Sequence, residues 1–443
     1  MPKADGLGVE SPSRFAFLPE YALKEAAEHT WWQGLEDPVL DTLVDRALAQ
    51  NLDLEAARAR MLEAKAILGT VGVEAAVSGA SSIGATLSRG KGGRLSTRTA
   101  EFQPLFLYNL FQASRREKDA ALMRAVSAEF EQPAVRLGLL LEVVSSYAEL
   151  RQSEAELLVR HRALRAQEKI VQSLRERLEL GDALSVDLRQ AEAGLASARA
   201  VLPSLQAERD IRALRIATLL AEPADRVLKE LHSGRAKQPE PDGNIDPGIP
   251  AALIKNRPDI RSAEAKYLAS IADIGVAEAQ LYPSLRISGS IRLAGESSIG
   301  LSPSLSVPVF GRNVLRAQTA ATQARAQQAH VAWRQSVLNA IEEVQIALVQ
   351  VHQADRQLRL LRESVSANRD AVELARTAFG LGAMKLNELL LAELNSTSAE
   401  INVTEAKRTY AIAWAQLNVA IGMGWNLPEL AVIEAGSDQV VVQ

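Results

Sequence analysis

The chain has 443 residues, a formal net charge of −4 and no cysteine, which excludes disulfides, thiolate zinc sites and a cysteine nucleophile. Its arginines are interspersed with Glu and Gln instead of forming basic blocks, so no nucleic-acid footprint is present. No apolar run of about 18 residues occurs, which excludes a transmembrane helix but not a transmembrane β-barrel, whose strands alternate and escape a hydropathy window. Aromatic residues make up only 4%, and the second and last thirds are rich in Ala, Leu, Arg, Glu and Gln, the mixture of long helices and coiled coils. The opening "MPKADGLGVESPSRF" lacks the apolar stretch of a secretory signal, so either the protein stays in the cytosol or a signal has been removed.

In chain order, repeat 1 spans 37–231. A helix is expected over Asn51–Gly69, with Asp53 near its start as a good N-cap, and then a β-hairpin at about 76–110. A long helical run from Ala134 to Leu180 would measure about 70 Å. It leads to a hairpin tip at about 180–188 and a returning helix. Pro133 should kink or begin the first rod and Pro203 should interrupt the second, because each lacks an amide donor. A Pro/Gly-rich connector, 232–250, closes this half. Repeat 2, 251–425, offers the same order: a helix from "RPDI" at Arg257, a hairpin at about 284–310, a long helix, a tip at about 381–389 and a returning helix, followed by a tail, 426–443.

The duplication can be counted. Val143, Leu150, Leu157, Leu164, Val171 and Leu178 are seven apart, and adding 201 to each gives Val344, Val351, Leu358, Val365, Val372 and Phe379, all apolar. A period of seven held over six positions favours coiled-coil packing over an ordinary amphipathic helix, which drifts about 20° per heptad from such a stripe. The same offset takes Leu180-Gly181 to Leu381-Gly382. The earlier helices match at an offset of 206 instead (Asp53 with Asp259, Leu62 with Leu268), so an insertion or deletion lies between them and the tips.

The intervening segments have period two. Leu285, Ile287, Gly289, Ile291 and Leu293 alternate with Arg286, Ser288, Ser290 and Arg292, and after the turn "AGESS" Ile299, Leu301, Leu305, Val307 and Val309 alternate with Gly and Ser. The first hairpin is less regular and turns near "RGKGGR". Two readings of these hairpins stay open at this stage: a small soluble sheet packed on helices, or strands long enough, at about 9 to 11 residues, to cross a membrane.

The sequence resembles the outer-membrane efflux proteins, the TolC-like outer membrane factors, and within them the branch serving resistance-nodulation-division (RND) exporters. The resemblance rests on "RPDI" with Ala263-Glu264, "IGVAEAQLYPSLRISGS" from Ile274, "WWQGLEDPVLDTLVDRALAQNLDL" from Trp31 and "SVPVFGR" from Ser306, and covers Trp31 to Trp425. It implies a mainly α fold with a small β part: long coiled-coil hairpins forming a trimeric α-barrel, and four strands per protomer in a shared 12-stranded transmembrane β-barrel. It further implies a homotrimer in outer-membrane lipid with a periplasmic extension, working with a periplasmic adaptor protein and an inner-membrane RND-type pump.

Carried over to this chain, the resemblance makes Leu180, Gly181, Leu381 and Gly382 the adaptor-docking tips and places Asp187 and Glu388 at the periplasmic aperture. The bland reading of the glycines is a helix C-cap, and of the acids a first-turn carboxylate favoured by the helix dipole. Met384 stands where relatives place an Arg, Phe379 where they have Tyr and Leu391 where they have Asp. An apolar constriction by Leu386, Leu390 or Leu391 is therefore expected in place of a hydrogen-bonded lock.

The five histidines are scattered without metal-ligand spacing, and no nucleophile elbow or phosphate loop occurs. No cofactor and no enzymatic activity are expected. The reading is an outer-membrane exit duct for small-molecule efflux, gated at its periplasmic tip; the alternatives are a type I secretion channel and a periplasmic coiled-coil structural protein.

Overall fold

The computed structural model describes residues 30–71, 78–90, 93–108, 113–181, 183–232, 237–241, 257–292, 298–308 and 310–425. After a short 3₁₀ turn at Trp31–Leu35 come α1 (Pro38–Gln50), α2 (Leu52–Thr70), β1 (Ser78–Gly90), β2 (Gly93–Tyr108), α3 (Ala113–Glu179), α4 (Ser185–Leu219) and α5 (Ala224–His232). The second half supplies α6 (Pro258–Ala279), β3 (Ser284–Arg292), β4 (Ser298–Ser306), α7 (Arg312–Gly380) and α8 (Leu386–Ala420). Among the described residues no helix is long and apolar enough to cross a membrane. Most of the connector, the tail 426–443, Asp182, Val77 and the centres of both strand turns lie outside the described residues.

The chain forms two compact units, and both draw on both repeats: Ala57–Gln132 with Pro258–Val337 in one, and the segment up to Ala56, Pro133–Arg257 and Leu338 onward in the other. The sequence repeat and the compact unit are thus different divisions of the chain.

The first unit holds an antiparallel sheet in the order β1-β2-β3-β4. β1 pairs with β2 from Ser78↔Leu105 to Gly90↔Gly93, so the first hairpin extends well into "RGKGGR". β3 meets β2 only from Glu101↔Arg292 to Tyr108↔Leu285, and β4 follows β3 over its whole length. In the same unit, alanines at 120, 121, 125, 265, 269 and 272 are buried and let helices approach closely. The hydroxyls of Ser127 and Ser262 meet at 3.0 Å, and Arg124 forks onto Asp273 at 2.8 and 2.6 Å. The Tyr267 ring stacks on Trp333 at 5.6 Å with His330 beside it.

In the second unit Trp31 packs edge-on against both Trp32 and Trp414. At Gly424, whose φ is +110, a Cβ would come 2.8 Å from Leu140 Cδ1 and 2.9 Å from Trp31 Nε1, so only glycine fits. Asp37 caps α1 by accepting from the amides of Val39 and Leu40, and its other oxygen accepts the Tyr147 hydroxyl at 2.6 Å.

The heptad register holds: all twelve positions are buried or half-buried. Pro133 does not begin its rod, and Pro203 does not interrupt the returning helix. Pro133 and Pro203 both lie inside continuous helices. Each loses one amide hydrogen bond, at about 3 kcal/mol, a local cost that packing along helices of 67 and 35 residues outweighs. The N-cap of α2 is Asn51, which accepts from the amides of Asp53 and Leu54 and donates to the Leu219 carbonyl; Asp53 sits in the first turn. Likewise α6 begins with Pro258 and carries Asp259 in its first turn, where the dipole favours a carboxylate.

Candidate docking and gating tips

Two helical hairpins, α3–α4 and α7–α8, end in turns of the same construction. In the first, the Leu180 amide donates to Glu176 O (3.2 Å) and the Gly181 amide to Leu178 O (3.0 Å), with Gly181 at φ +76. In the second, Leu381 donates to Thr377 O (3.1 Å), Gly382 to Phe379 O (3.0 Å) and Ala383 to Ala378 O (2.9 Å), with Gly382 at φ +73. The left-handed residue after the last turn satisfies the terminal carbonyls and reverses the chain. Neither glycine has a heavy atom within 4 Å of where a Cβ would stand, so the backbone sign alone demands glycine.

The next helix starts in register on each side. The Leu184 carbonyl accepts from Asp187 (3.1 Å) and Leu188 (3.4 Å), and the Lys385 carbonyl from Glu388 (3.1 Å) and Leu389 (3.3 Å). The Glu388 carboxylate in turn accepts the Lys385 amide at 3.4 Å, one half of a capping box. Asp187 and Glu388, equivalent positions, are thus both first-turn carboxylates.

The tips differ in what they expose. Leu180 and Leu381 are 83% and 79% exposed. The first tip adds Leu184 and Val186, 66% and 64% exposed, where the second carries Lys385 and Asn387. The first tip therefore presents the larger apolar surface, although its sequence reads as the more acidic of the two.

Leu386 faces a neighbour within the same chain. It is 5% exposed and shares a core with Val171, Leu174 and Ala191, flanked by Phe379, Leu188 and Leu390. This seam joins the two hairpins, and the Arg177 guanidinium lies 5.6 Å from the Phe379 ring centroid across it. Leu390 is half-buried in the same cluster. Of the three leucines expected at a constriction, only Leu391 is exposed, at 57%.

Ion pairs lace the hairpins at equivalent heights. Arg175 meets Glu192 at 2.8 Å, and 201 residues on Arg376 forks onto Glu393 at 2.6 and 3.0 Å. One turn region further from the tips the polarity reverses: Glu168 accepts from Arg199 at 2.7 Å, whereas Arg369 donates to Glu400 at 2.8 Å. Glu400 also receives Arg162 of the first hairpin at 2.9 Å, so the reversal creates a bridge between hairpins. The hydrogen bond from Arg175, with Arg189 in support, holds the Glu192 carboxyl below its ordinary range, and the bond that Arg376 donates to Glu393 raises the Arg376 guanidinium. Heptad spacing gave no signal of the reversed pair, because its members stand 31 residues apart on different helices.

Comparison with known proteins agrees with this architecture. The chain is 31% identical over 415 residues to nodulation protein T of Rhizobium leguminosarum bv. trifolii, covering 89% of this chain and 88% of that relative. It is 28% identical over 431 residues to outer membrane protein OprJ of Pseudomonas aeruginosa, covering 92% and 88%. Its fold superposes on the outer-membrane channel OprN with a TM-score of 0.84 at 27% identity, covering 94% of this chain and 98% of the other. The family model described as outer membrane efflux protein matches residues 43–222 and 249–423, and the chain belongs to that family.

Proposed function

We propose that this protein is the exit duct of a tripartite small-molecule efflux pump: a homotrimer whose twelve strands close one outer-membrane barrel and whose hairpins line a periplasmic tunnel. The observation that carries the reading is the sheet. Among the described residues its outer strands, β1 and β4, have no further strand beside them, and Ile83, Ile299, Leu301 and Leu305 stand exposed. Unpaired edges in a bilayer are unsatisfied hydrogen-bonding groups, and further copies, each setting its β1 beside a neighbour's β4, remove them all.

In this reading the protein does no chemistry. Solutes enter from a periplasmic adaptor fed by an inner-membrane RND-type pump, and pass outward down the gradient the pump maintains. Leu180, Gly181, Leu381 and Gly382 form the docking tips; the glycines set the turns and the leucines supply the apolar contact. Asp187 and Glu388 give the aperture its negative charge, and Leu391 supplies its apolar constriction, with Leu386 and Leu390 holding the hairpins that carry it.

Docking is tested by placing charge on the exposed leucines. Leu180→Asp together with Leu184→Asp should reduce recovery of the adaptor on the purified channel at least tenfold, and Leu381→Asp should reduce it less. The conductance of each purified variant in a planar bilayer should match the wild type, since these side chains hold nothing within the chain. Undiminished adaptor recovery by the double variant would overturn the assignment.

A further inference from the structure

The seam of the second hairpin is a ladder with one rung that lacks its acid. On α7, Arg376, Arg369 and Arg362 stand seven apart, and on α8, Glu393, Glu400 and Lys407 do the same. The helices run antiparallel, so each arginine has one opposite number. Arg376 meets Glu393 and Arg369 meets Glu400. At the third rung the same register sets Arg362 against Lys407, two cations. Like charges facing each other across paired helices push them apart. The first hairpin escapes this conflict, because 201 residues earlier the same rung holds His161 and Gln206. Acids on the two helices do not relieve it either: Asp355 pairs with Arg359, and Glu405 with Arg408.

The missing carboxylate comes from the connector. Glu240 accepts from the Arg362 guanidinium and lies 3.1 Å from Lys407 Nζ, so one acid bridges both cations and both helices. Two residues earlier, Gln238 is buried and its side-chain amide donates to the Thr404 carbonyl of α8 at 2.7 Å. Pro239 and Pro241 are buried as well. Each holds the residue before it in extended backbone and brings no amide that would need a partner, which suits a strap laid across helices. Burial opposes the charge on Glu240, but the bonds from Arg362 and Lys407 outweigh it and hold the carboxyl below the ordinary carboxylate range.

We propose that connector residues 237–241 are a clamp on the second hairpin: Glu240 closes the third rung of the α7–α8 seam and so holds the hairpin's tip in the shut position. Without Glu240 the two cations repel and the helices part at that rung. The two rungs nearer the tip keep the hairpin itself together, so it tilts about the freed rung and swings a tip that lies about 27 Å further along α7. The clamp is a property of the chain alone, and its link to opening rests on the exit-duct reading above.

The test follows amide hydrogen exchange in the full-length protein in mild detergent, and conductance in planar bilayers. In E240Q the amides around Arg362 and Lys407 should exchange at least tenfold faster than in wild type, while those around Arg175 and Glu192 stay within a few-fold. E240Q/K407E gives Arg362 an acid on α8, as at the other two rungs, and should bring exchange back to within a few-fold of wild type. A strap that acted by packing alone would not be rescued in this way. Conductance should rise several-fold in E240Q and return in the double variant. Unchanged exchange in E240Q, or no recovery in E240Q/K407E, overturns the clamp. Faster exchange without higher conductance overturns its link to the tip. Should E240Q fail to fold, recovery of folded protein in E240Q/K407E supports the clamp and continued failure overturns it. A wild type that forms no channel overturns the exit-duct reading, and the exchange result, which needs no membrane, still decides the clamp.

Discussion

Leu391→Ser should raise single-channel conductance several-fold in a planar bilayer while leaving thermal stability unchanged within about 0.5 kcal/mol, the usual range for an exposed substitution. Leu386→Ser should do something different. Leu386 is buried against Val171, Leu174 and Ala191, in the seam that holds the second hairpin to the first. Removing a buried leucine leaves a cavity and here also buries a hydroxyl, at a cost of about 3 kcal/mol. The variant should therefore lose stability, gain protease sensitivity at the second tip, and conduct more because its hairpins part. Unchanged conductance in Leu391→Ser would remove that residue from the constriction. Unchanged protease sensitivity in Leu386→Ser would mean that the seam does not hold the tips.

The second large effect is expected near the middle of α3. Arg151 is 1% exposed, donates to Glu154 at 2.6 Å and lies over the Tyr147 ring at 4.9 Å. Burial opposes its charge, but Tyr147 and Glu154 outweigh that and its pKa is raised; burial, with the bond to Asp37, pushes the Tyr147 hydroxyl up as well. Each member thus depends on the others. Arg151→Ala should destabilise by about 3 kcal/mol, since it strands a partly buried carboxylate partner and empties the space beside Tyr147. Tyr147→Phe should cost about 1–3 kcal/mol through the Asp37 oxygen it leaves unpaired, while the cap on α1 survives. Denaturant melts of the two variants and their combination measure the coupling. Strictly additive losses would contradict a single network.

Much of this architecture is legible in the sequence because its signals are periodic. A spacing of seven fixes which face of α3 and α7 is buried, a spacing of two fixes the strands, and a constant offset of 201 pairs the tips. What escapes is whatever depends on which neighbour a face meets. Leu386 and Leu389 stand three apart and share the buried face of α8, whereas Leu391 lies off it. That spacing is visible in the sequence, but the identity of the neighbour, the first hairpin, is not. Pro203 misled for a related reason: a lost amide is a local cost, and packing along a long helix is not local. The length of the first hairpin escaped because "RGKGGR" reads as a loop, since Gly and Lys disfavour strands, yet the cross-strand ladder runs as far as Gly90↔Gly93.

The edges of the four-stranded sheet tie these parts together, since in the proposed duct neighbouring copies of the chain complete one another along them. The most direct measurement is the size of the species crosslinked in intact outer membranes through cysteines introduced on facing edges, Ser81→Cys on β1 and Ser302→Cys on β4. A ladder ending at three chains is the expected result. A chain that stays a monomer under crosslinking, while remaining in the membrane fraction, would contradict the shared barrel and with it the exit duct.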